Sequence, residues 1–171
     1  MMSNNFKHIS PKEITSNPFS LLSDDWALVS AGNENKFNTM TVSWGGVGVL
    51  WNKSVATIYI RPQRYTYSFI EDSDTFTISF LKDGYKKALE FCGKNSGRDC
   101  DKVKESGLSP FSTDSGIAFE EAKLILVCKK LYFDDIKPEH FLEDKINLNY
   151  ANLDYHRMYI GEIIDVLQSF N

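Results

Sequence analysis

Alternating and continuous apolar runs predict a protein built mainly of strands. The segment Thr75–Phe80 alternates strictly and places Phe76, Ile78 and Phe80 on one face of a strand. Five more strand patterns follow the same rules, at Trp26–Ala31, Phe37–Trp44, Ser54–Ile60, Ala122–Phe133 and Arg157–Leu167. The turn cluster Gly32–Lys36 joins the first two of these in a predicted hairpin.

Helical spacing is confined to short segments between the strands. The three predicted helices, each after its expected N-cap, are Tyr85–Phe91 after Asp83, Cys100–Glu105 after Asp99, and Tyr67–Glu71 after Thr66. Strict βαβ alternation is absent, so the pattern predicts a mainly β protein, a mostly antiparallel barrel with peripheral helices. No linker or internal repeat divides the 171 residues, and we expect one domain over 1–171.

Composition and charge narrow the functional classes. The formal net charge is −4, which argues against a nucleic-acid-binding surface but leaves room for a local anion site. No apolar run approaches the roughly 18 residues of a membrane span, and Met1–Pro11 lacks the apolar core of a signal peptide. The 3 cysteines are an odd count without a CxxC pair, which predicts neither a disulfide framework nor a zinc site. We therefore expect a cytoplasmic protein without metal, membrane or nucleic acid.

Aromatic residues make up 13% of the chain. This content has two interpretations, since aromatic side chains can form the core or line a site for a flat ligand. The strand Asn38-Thr-Met-Thr-Val-Ser-Trp44 carries amide and hydroxyl groups at every second position, followed by two glycines. Such groups suit the polar edge of a heterocycle, and Trp44 offers a flat wall. A solvated strand face with a core tryptophan is the alternative.

Two basic loops stand out in this acidic chain. Arg61-Pro-Gln-Arg64-Tyr-Thr66 lies where a strand passes into a helix, and a helix N-terminus with arginines favours a phosphate. The second loop gathers cations and a hydroxyl around two glycines, with Lys94, Ser96, Arg98 and Lys102 between two predicted helices. Solvated surface arginines and ordinary helix capping by Ser96 are the alternatives.

A last polar motif opens the final strand, at Asp154-Tyr-His-Arg-Met-Tyr159. A histidine such as His156 at the mouth of a strand can donate hydrogen bonds or move protons near neutral pH, or serve as a structural histidine. GxSxG and HExxH are both absent, so the hydrolase classes that use them are disfavoured.

Taken in order along the chain, these motifs resemble the flavin reductase-like family, which folds as an FMN-binding split barrel. The resemblance spans about Trp26 to Val166 and is nearest to flavoredoxin-type and related flavin or ferric reductases. It is carried by the segments Asn38–Trp44, Val55–Pro62, Arg64–Thr66, Ser73–Phe80, Cys92–Gly93, Ser96–Asp99 and Asp154–Glu162.

The resemblance implies an FMN site close to a homodimer interface. Residues implied to line the isoalloxazine ring and ribityl chain are Asn38, Thr39, Met40, Thr41, Ser43 and Trp44. Those implied at the phosphate side are Arg61, Arg64, Tyr65 and Thr66, with Lys94, Ser96, Gly97, Arg98 and Lys102 closing over it. Tyr155 and His156 are implied near the ring or the nicotinamide approach, as assisting rather than catalytic groups.

The resemblance also implies a flavoprotein oxidoreductase in which the flavin carries the chemistry and the protein supplies binding and electrostatics. It would pass electrons from NAD(P)H through FMN to flavin, ferric iron, a redox partner or another small molecule. Two alternatives stay open. One is a flavoredoxin-like electron carrier reduced by a partner protein, and the other a non-redox split barrel that binds a different heterocyclic phosphate.

Overall fold

The computed structural model describes residues 5–170, so the expected absence of a signal peptide falls partly outside the described residues. Eight strands form one sheet in the order β3-β2-β6-β9-β10-β5-β4, with β1 paired to β10, and β7 and β8 form a separate hairpin. The strands are β1 Phe6–His8, β2 Ala27–Asn33, β3 Lys36–Val42, β4 Gly45–Leu50, β5 Lys53–Ile60, β6 Thr75–Leu81, β7 Pro110–Thr113, β8 Gly116–Phe119, β9 Ala122–Asp135 and β10 Arg157–Ser169. All of these pairings are antiparallel.

The sheet curls because its two outer strands are neighbours in sequence. β3 ends at Val42 and β4 begins at Gly45, yet the two strands lie at opposite ends of the sheet order. Ser43 and Trp44 alone bridge them, and each extended residue spans at most about 3.6 Å. The edges must therefore approach each other without pairing, which makes a split barrel and confirms the predicted fold class.

Both faces of the central strands are buried, each against a different layer. Phe76, Ile78 and Phe80 fill the barrel interior, as their alternation predicts. On the other face Thr77 is also buried, because β8 covers it and the Ile117 carbonyl accepts its hydroxyl hydrogen. A second apolar cluster, which includes Leu89 of α3, lies on this outer side of the sheet.

The helices are α1 Pro18–Ser20, α2 Tyr65–Glu71, α3 Lys86–Lys94 and α4 Lys102–Ser106, with short 3₁₀ or π turns at Pro11–Glu13, Leu21–Asp25, Pro138–His140 and Asp144–Asn149. None of the helices within residues 5–170 is long and apolar enough to cross a membrane.

The three predicted N-caps are wrong, each for a local reason. Asp83 cannot cap α3 because Gly84 follows it with φ of 94°, so the helix begins only after Tyr85. Asp101 replaces Asp99 before α4, where its carboxylate accepts the Lys104 N–H at 3.1 Å. At α2 the helix starts one residue before Thr66, whose hydroxyl instead accepts a hydrogen bond from another side chain.

Strands β1, β4, β7 and β8 were not predicted. Glycine at positions 45, 46 and 48 hides the strand pattern of β4, since glycine is depleted in strands. Here Gly45 is needed, because a Cβ at this position would lie 2.8 Å from the Thr57 carbonyl oxygen of β5. The close approach of the two backbones thus outweighs the weak propensity.

Candidate functional site

Two neighbouring cavities draw their walls from the polar motifs, and both use the segment between β5 and α2. The first, here called the cationic cavity, has a volume of about 200 Å³ and is lined by Gln63, Arg64, Tyr65, Thr66, Lys94, Asn95, Ser96, Arg98 and Lys102. The second, the aromatic cavity, has about 210 Å³ and is lined by Met40, Thr41, Val42, Ser43, Trp44, Tyr59, Arg61 and His156. The antiparallel barrel and its peripheral helices therefore bring together motifs that lie far apart in sequence.

The cations of the first cavity have no acidic partner. Arg64, Lys94, Arg98 and Lys102 form none of the ion pairs found among residues 5–170. Neutral groups hold three of them, Arg64, Arg98 and Lys102. Arg64 donates to the Gly93 carbonyl at 2.8 Å, and Arg98 lies 4.7 Å above the Tyr65 ring while donating to the Gln63 carbonyl. The cavity thus keeps its positive charge uncompensated.

Burial makes the positive charges of Lys102 and Arg64 unfavourable. Lys102 is 5% exposed, and its ammonium donates to the Thr39 and Cys92 carbonyls at 3.0 and 2.8 Å. Burial, reinforced by the nearby Arg64, lowers the pKa of Lys102 to about 8. Burial and Arg61 lower the pKa of Arg64 as well. An anion in the cavity would relieve both effects, since opposite charge favours the charged form.

The loop that carries Lys94 to Arg98 can pack here only because position 97 is glycine. A Cβ on Gly97 would lie 2.1 Å from Asn38 Oδ1 and 3.1 Å from the Tyr65 ring. Asn38 is fixed in turn, because its amide donates to the Thr66 hydroxyl at 2.7 Å. The Ser96 hydroxyl accepts the Arg98 N–H at 3.2 Å and shapes the same turn.

The aromatic cavity has its charges satisfied within the protein. Arg61 forms an ion pair of 2.7 Å with Asp154, donates to the Asn149 carbonyl at 2.8 Å, and lies 5.1 Å from the Tyr150 ring centroid. Gln63 donates to the same carboxylate oxygen of Asp154. Arg61 therefore lines the aromatic cavity, and it is not among the residues that line the cationic cavity.

His156 is the only titratable imidazole in either wall, among residues 5–170. Its ring lies 5.2 Å from that of Trp44 and 6.5 Å from that of Tyr59, and its Nδ1 lies 2.9 Å from the Tyr150 hydroxyl. Burial, with the nearby Arg61, lowers its pKa to about 4. The imidazole is consequently neutral at physiological pH, and this wall suits an uncharged flat ligand.

The predicted site residues separate into three groups. The cationic cavity collects Arg64, Tyr65, Thr66, Lys94, Ser96, Arg98 and Lys102, and the aromatic cavity collects Met40, Thr41, Ser43, Trp44, Arg61 and His156. Asn38, Thr39 and Gly97 line neither, but they line a third cavity of about 490 Å³, which also touches Lys102. Tyr155 lines none of these, because it packs on Tyr150 at 4.8 Å and donates to Asn147.

Sequence reasoning missed Gln63, Asn95, Tyr59 and Tyr150. Tyr59 carried a signal, since it precedes Arg61 by two residues and so shares its face of the strand. Tyr150 carried none, because it belongs to the irregular segment between β9 and β10 and meets His156 only through the folding of that segment.

Trp44 also lines a separate apolar cavity of about 300 Å³ at the end of the barrel, together with Leu22, Val47 and Phe80. The lining of this cavity is mostly apolar, with Lys12 as its one cation among residues 5–170, and it shares Val42 and Trp44 with the aromatic cavity. Its walls are barrel core on one side and the exposed strand β4 on the other.

Comparison with known proteins gave concordant structural matches, whereas a search of curated protein sequences gave none. An FMN-binding domain of a flavin reductases-like enzyme from Shewanella baltica aligns with a TM-score of 0.70 and 20% identity, over 99% of this chain and 80% of that one. Flavoredoxin of Desulfovibrio vulgaris aligns with a TM-score of 0.67 and 22% identity, over 95% and 76%.

An NADH:FAD oxidoreductase from Streptomyces globisporus, in complex with NAD and FAD fragments, aligns with a TM-score of 0.63 and 16% identity, over 84% and 74%. At these identities the structural matches establish the fold alone. The sequence itself matches the flavin reductase like domain over residues 19–169, nearly its whole length. The resemblance seen in the motifs is confirmed, and the chain belongs to the flavin reductase-like family.

Proposed function

We propose that this protein binds FMN and acts as an oxidoreductase that passes electrons from NAD(P)H to an acceptor. The observation that carries the proposal is the cationic cavity, where four cations of residues 5–170 lie together without a carboxylate. A phosphate monoester carries nearly two negative charges at neutral pH and accepts several hydrogen bonds. It would complete this cavity.

The two cavities match the two ends of FMN. Arg64, Thr66, Arg98 and the Ser96 turn would hold the phosphate, with Lys102 adding charge from behind through its buried ammonium. The neutral aromatic cavity would hold the isoalloxazine ring against Trp44, with hydroxyl groups from β3 at its edge. FMN, when bound, supplies the chemistry of hydride acceptance and onward electron transfer, and the protein binds and orients it.

The names of two structural neighbours support a pyridine nucleotide as electron donor and a flavin as electron carrier. The Streptomyces protein is an NADH:FAD oxidoreductase with a bound NAD fragment, which supports a pyridine nucleotide as donor. The name of the Desulfovibrio neighbour, flavoredoxin, agrees with a flavin that carries electrons. The acceptor classes that we propose are free flavin, ferric iron and a redox partner. All these acceptors take electrons from a reduced flavin and need no nucleophile from the protein.

The absorption spectrum of the purified protein, followed by anaerobic addition of NADH and NADPH, tests the proposal. We expect flavin absorption, intrinsic or after FMN is added, that bleaches with one or both nucleotides. Colourless protein that does not bind added FMN would overturn it and favour a different heterocyclic phosphate, which analysis of the extracted ligand would identify. Bound FMN that bleaches only with a reduced redox protein would assign an electron carrier.

We further infer that the protein is a homodimer that buries the exposed apolar patch at the turn between β4 and β5. Val49 and Trp51 at the β4–β5 turn are 78% and 53% exposed, and Tyr132 of β9 is 42% exposed. The rings of Trp51 and Tyr132 lie 6.2 Å apart, so the patch extends from this turn to β9. Patches of this kind mark protein interfaces.

Light scattering on size-exclusion eluates tests the dimer. Wild type should have twice the chain mass, and Val49→Glu should shift it toward a single chain. Leu142→Glu is the matched control, since Leu142 is fully exposed but lies outside this patch. A wild-type protein with the mass of one chain would contradict the inference.

A further inference from the structure

We propose that Tyr150 is a positioning residue. Its hydroxyl holds the neutral imidazole of His156 in the tautomer whose Nε2–H faces the aromatic cavity, ready to donate to a carbonyl oxygen of a flat heterocycle. The tautomer stands on the contacts of residues 5–170 alone. The donation to a bound heterocycle also rests on the proposed function.

The geometry assigns the two imidazole nitrogens different surroundings. Nδ1 lies 2.9 Å from the Tyr150 hydroxyl, so this nitrogen already has a hydrogen-bond partner. Within residues 5–170, Nε2 has no hydrogen-bond partner, and it is not one of the buried side-chain atoms that lack a partner. His156 also lines the aromatic cavity. Nε2 is therefore the nitrogen that a ligand can reach.

Hydrogen-bond accounting at Tyr150 selects the tautomer. The residue is 5% exposed, and its hydroxyl contacts no acceptor of the described residues other than Nδ1. Burial raises the pKa of this phenol, so it keeps its hydrogen at neutral pH. A buried phenolic hydrogen needs an acceptor, and Nδ1 is the one present, so Nδ1 has no proton of its own. The single proton of a neutral imidazole then resides on Nε2.

The groups around His156 keep this state stable. Arg61, stacked on Tyr150, opposes a positive charge on the imidazole, and Asp154 favours one, but Asp154 is already paired with Arg61. Trp44 and Tyr59 contribute aromatic rings to the same wall. The net result is a neutral N–H donor in a largely apolar wall.

A neutral donor of this kind recognises a carbonyl oxygen without requiring negative charge on the ligand. Two sources fit the proposed function, namely the carbonyl groups of the isoalloxazine ring and the carboxamide of a nicotinamide. Both present a carbonyl oxygen as hydrogen-bond acceptor. FMN and the nicotinamide nucleotide can be added one after the other, so the experiment distinguishes the two sources.

Long-range ¹H–¹⁵N spectra of protein labelled at histidine nitrogen test the tautomer directly, before any flavin is added. The chain has only 3 histidines, so assignment is simple. We expect His156 to give the Nε2–H pattern at neutral pH and Tyr150→Phe to give a mixture of tautomers. Tyr155→Phe is the matched control, because its hydroxyl donates to Asn147 in the same aromatic cluster and leaves the pattern unchanged. An Nδ1–H or charged His156 in wild type, or an unchanged Tyr150→Phe, would overturn the positioning role.

The same spectra, recorded with added ligands, test the donation to a bound heterocycle. A shift of the His156 Nε2 resonance on adding FMN identifies the flavin carbonyls, and a shift only on adding oxidised NAD to FMN-loaded protein identifies the carboxamide. No shift with either ligand, when flavin absorption shows that FMN is bound, would overturn the donor role. If FMN fails to bind, the proposed function fails while the tautomer result stands.

Discussion

The cationic and aromatic cavities differ in whether their charged side chains are paired within the protein. In the cationic cavity, Arg64 and Lys102 form no ion pair with any carboxylate of residues 5–170, and burial makes their charge costly. In the aromatic cavity, Arg61 is neutralised by Asp154, and His156 is neutral and bonded to Tyr150. A fold tolerates uncompensated buried charge mainly where a ligand supplies the counter-charge. The contrast indicates one ligand with an anionic end and a neutral flat end.

The largest effect should come from removing a cation of the first cavity. Arg64→Ala and Arg98→Ala should each weaken FMN binding by about 1–3 kcal/mol, roughly 5- to 150-fold, because each removes a charge-assisted contact to phosphate. Riboflavin, which lacks the phosphate, should bind the variants and wild type alike. Fluorescence titration measures both ligands.

Lys137→Ala is the control for a general charge effect, since Lys137 pairs with Asp134 on the surface. Equal losses for FMN and riboflavin would break the division between the two cavities.

The next largest effect should come from breaking the ion pair between Arg61 and Asp154. Asp154→Asn should lower the free energy of unfolding by about 1–3 kcal/mol, because the half-buried guanidinium loses its charged partner. The pKa of Asp154 lies below its usual 3.8, chiefly through the Arg61 hydrogen bond, so this stability is present above that pH and is lost as pH falls further. Urea denaturation at neutral and acid pH measures it, and a variant as stable as wild type at neutral pH would contradict the role of the pair.

The pH dependence of FMN affinity should distinguish the cavities again. Phosphate beside Lys102 raises its pKa above about 8, so FMN binding takes up a proton once the free lysine begins to lose it. FMN affinity should therefore fall as pH rises above about 8, by at most about tenfold per pH unit. Riboflavin affinity should stay level, and parallel curves for the two ligands would place Lys102 outside the phosphate site.

The smallest effect should come from the turn that carries Arg98. Ser96→Ala removes the hydroxyl that accepts the Arg98 N–H, which should cost FMN binding about 0.5–1.5 kcal/mol, roughly 2- to 12-fold. Isothermal titration calorimetry resolves a change of this size. Thr113→Ala, whose hydroxyl donates to Gly116 in the β7–β8 hairpin, is the control and should leave FMN affinity unchanged.

The alternation of apolar residues in the strands and the order of the motifs predicted most of the fold and much of the candidate site. The alternation at Phe76, Ile78 and Phe80 located the barrel interior, because a period of two assigns a face without knowledge of the partner strands. The same rule failed for β4, where close backbone contact with β5 requires glycine at position 45 and hides the pattern. Helix caps failed where two acidic residues compete within a short segment, as Asp99 and Asp101 do.

The sequence by itself determined the family, the strand-rich architecture and the residue types of both cavities, since these depend on local order along the chain. The tertiary structure alone decided which charges are compensated. Arg61 and Arg64 are equivalent as sequence, three residues apart in one basic loop, yet one meets Asp154 and the other meets a backbone carbonyl. The difference arises because the segment before β10 folds back over Arg61 and Gln63, while no carboxylate of residues 5–170 pairs with Arg64. Electrostatic pairing depends on distance in space.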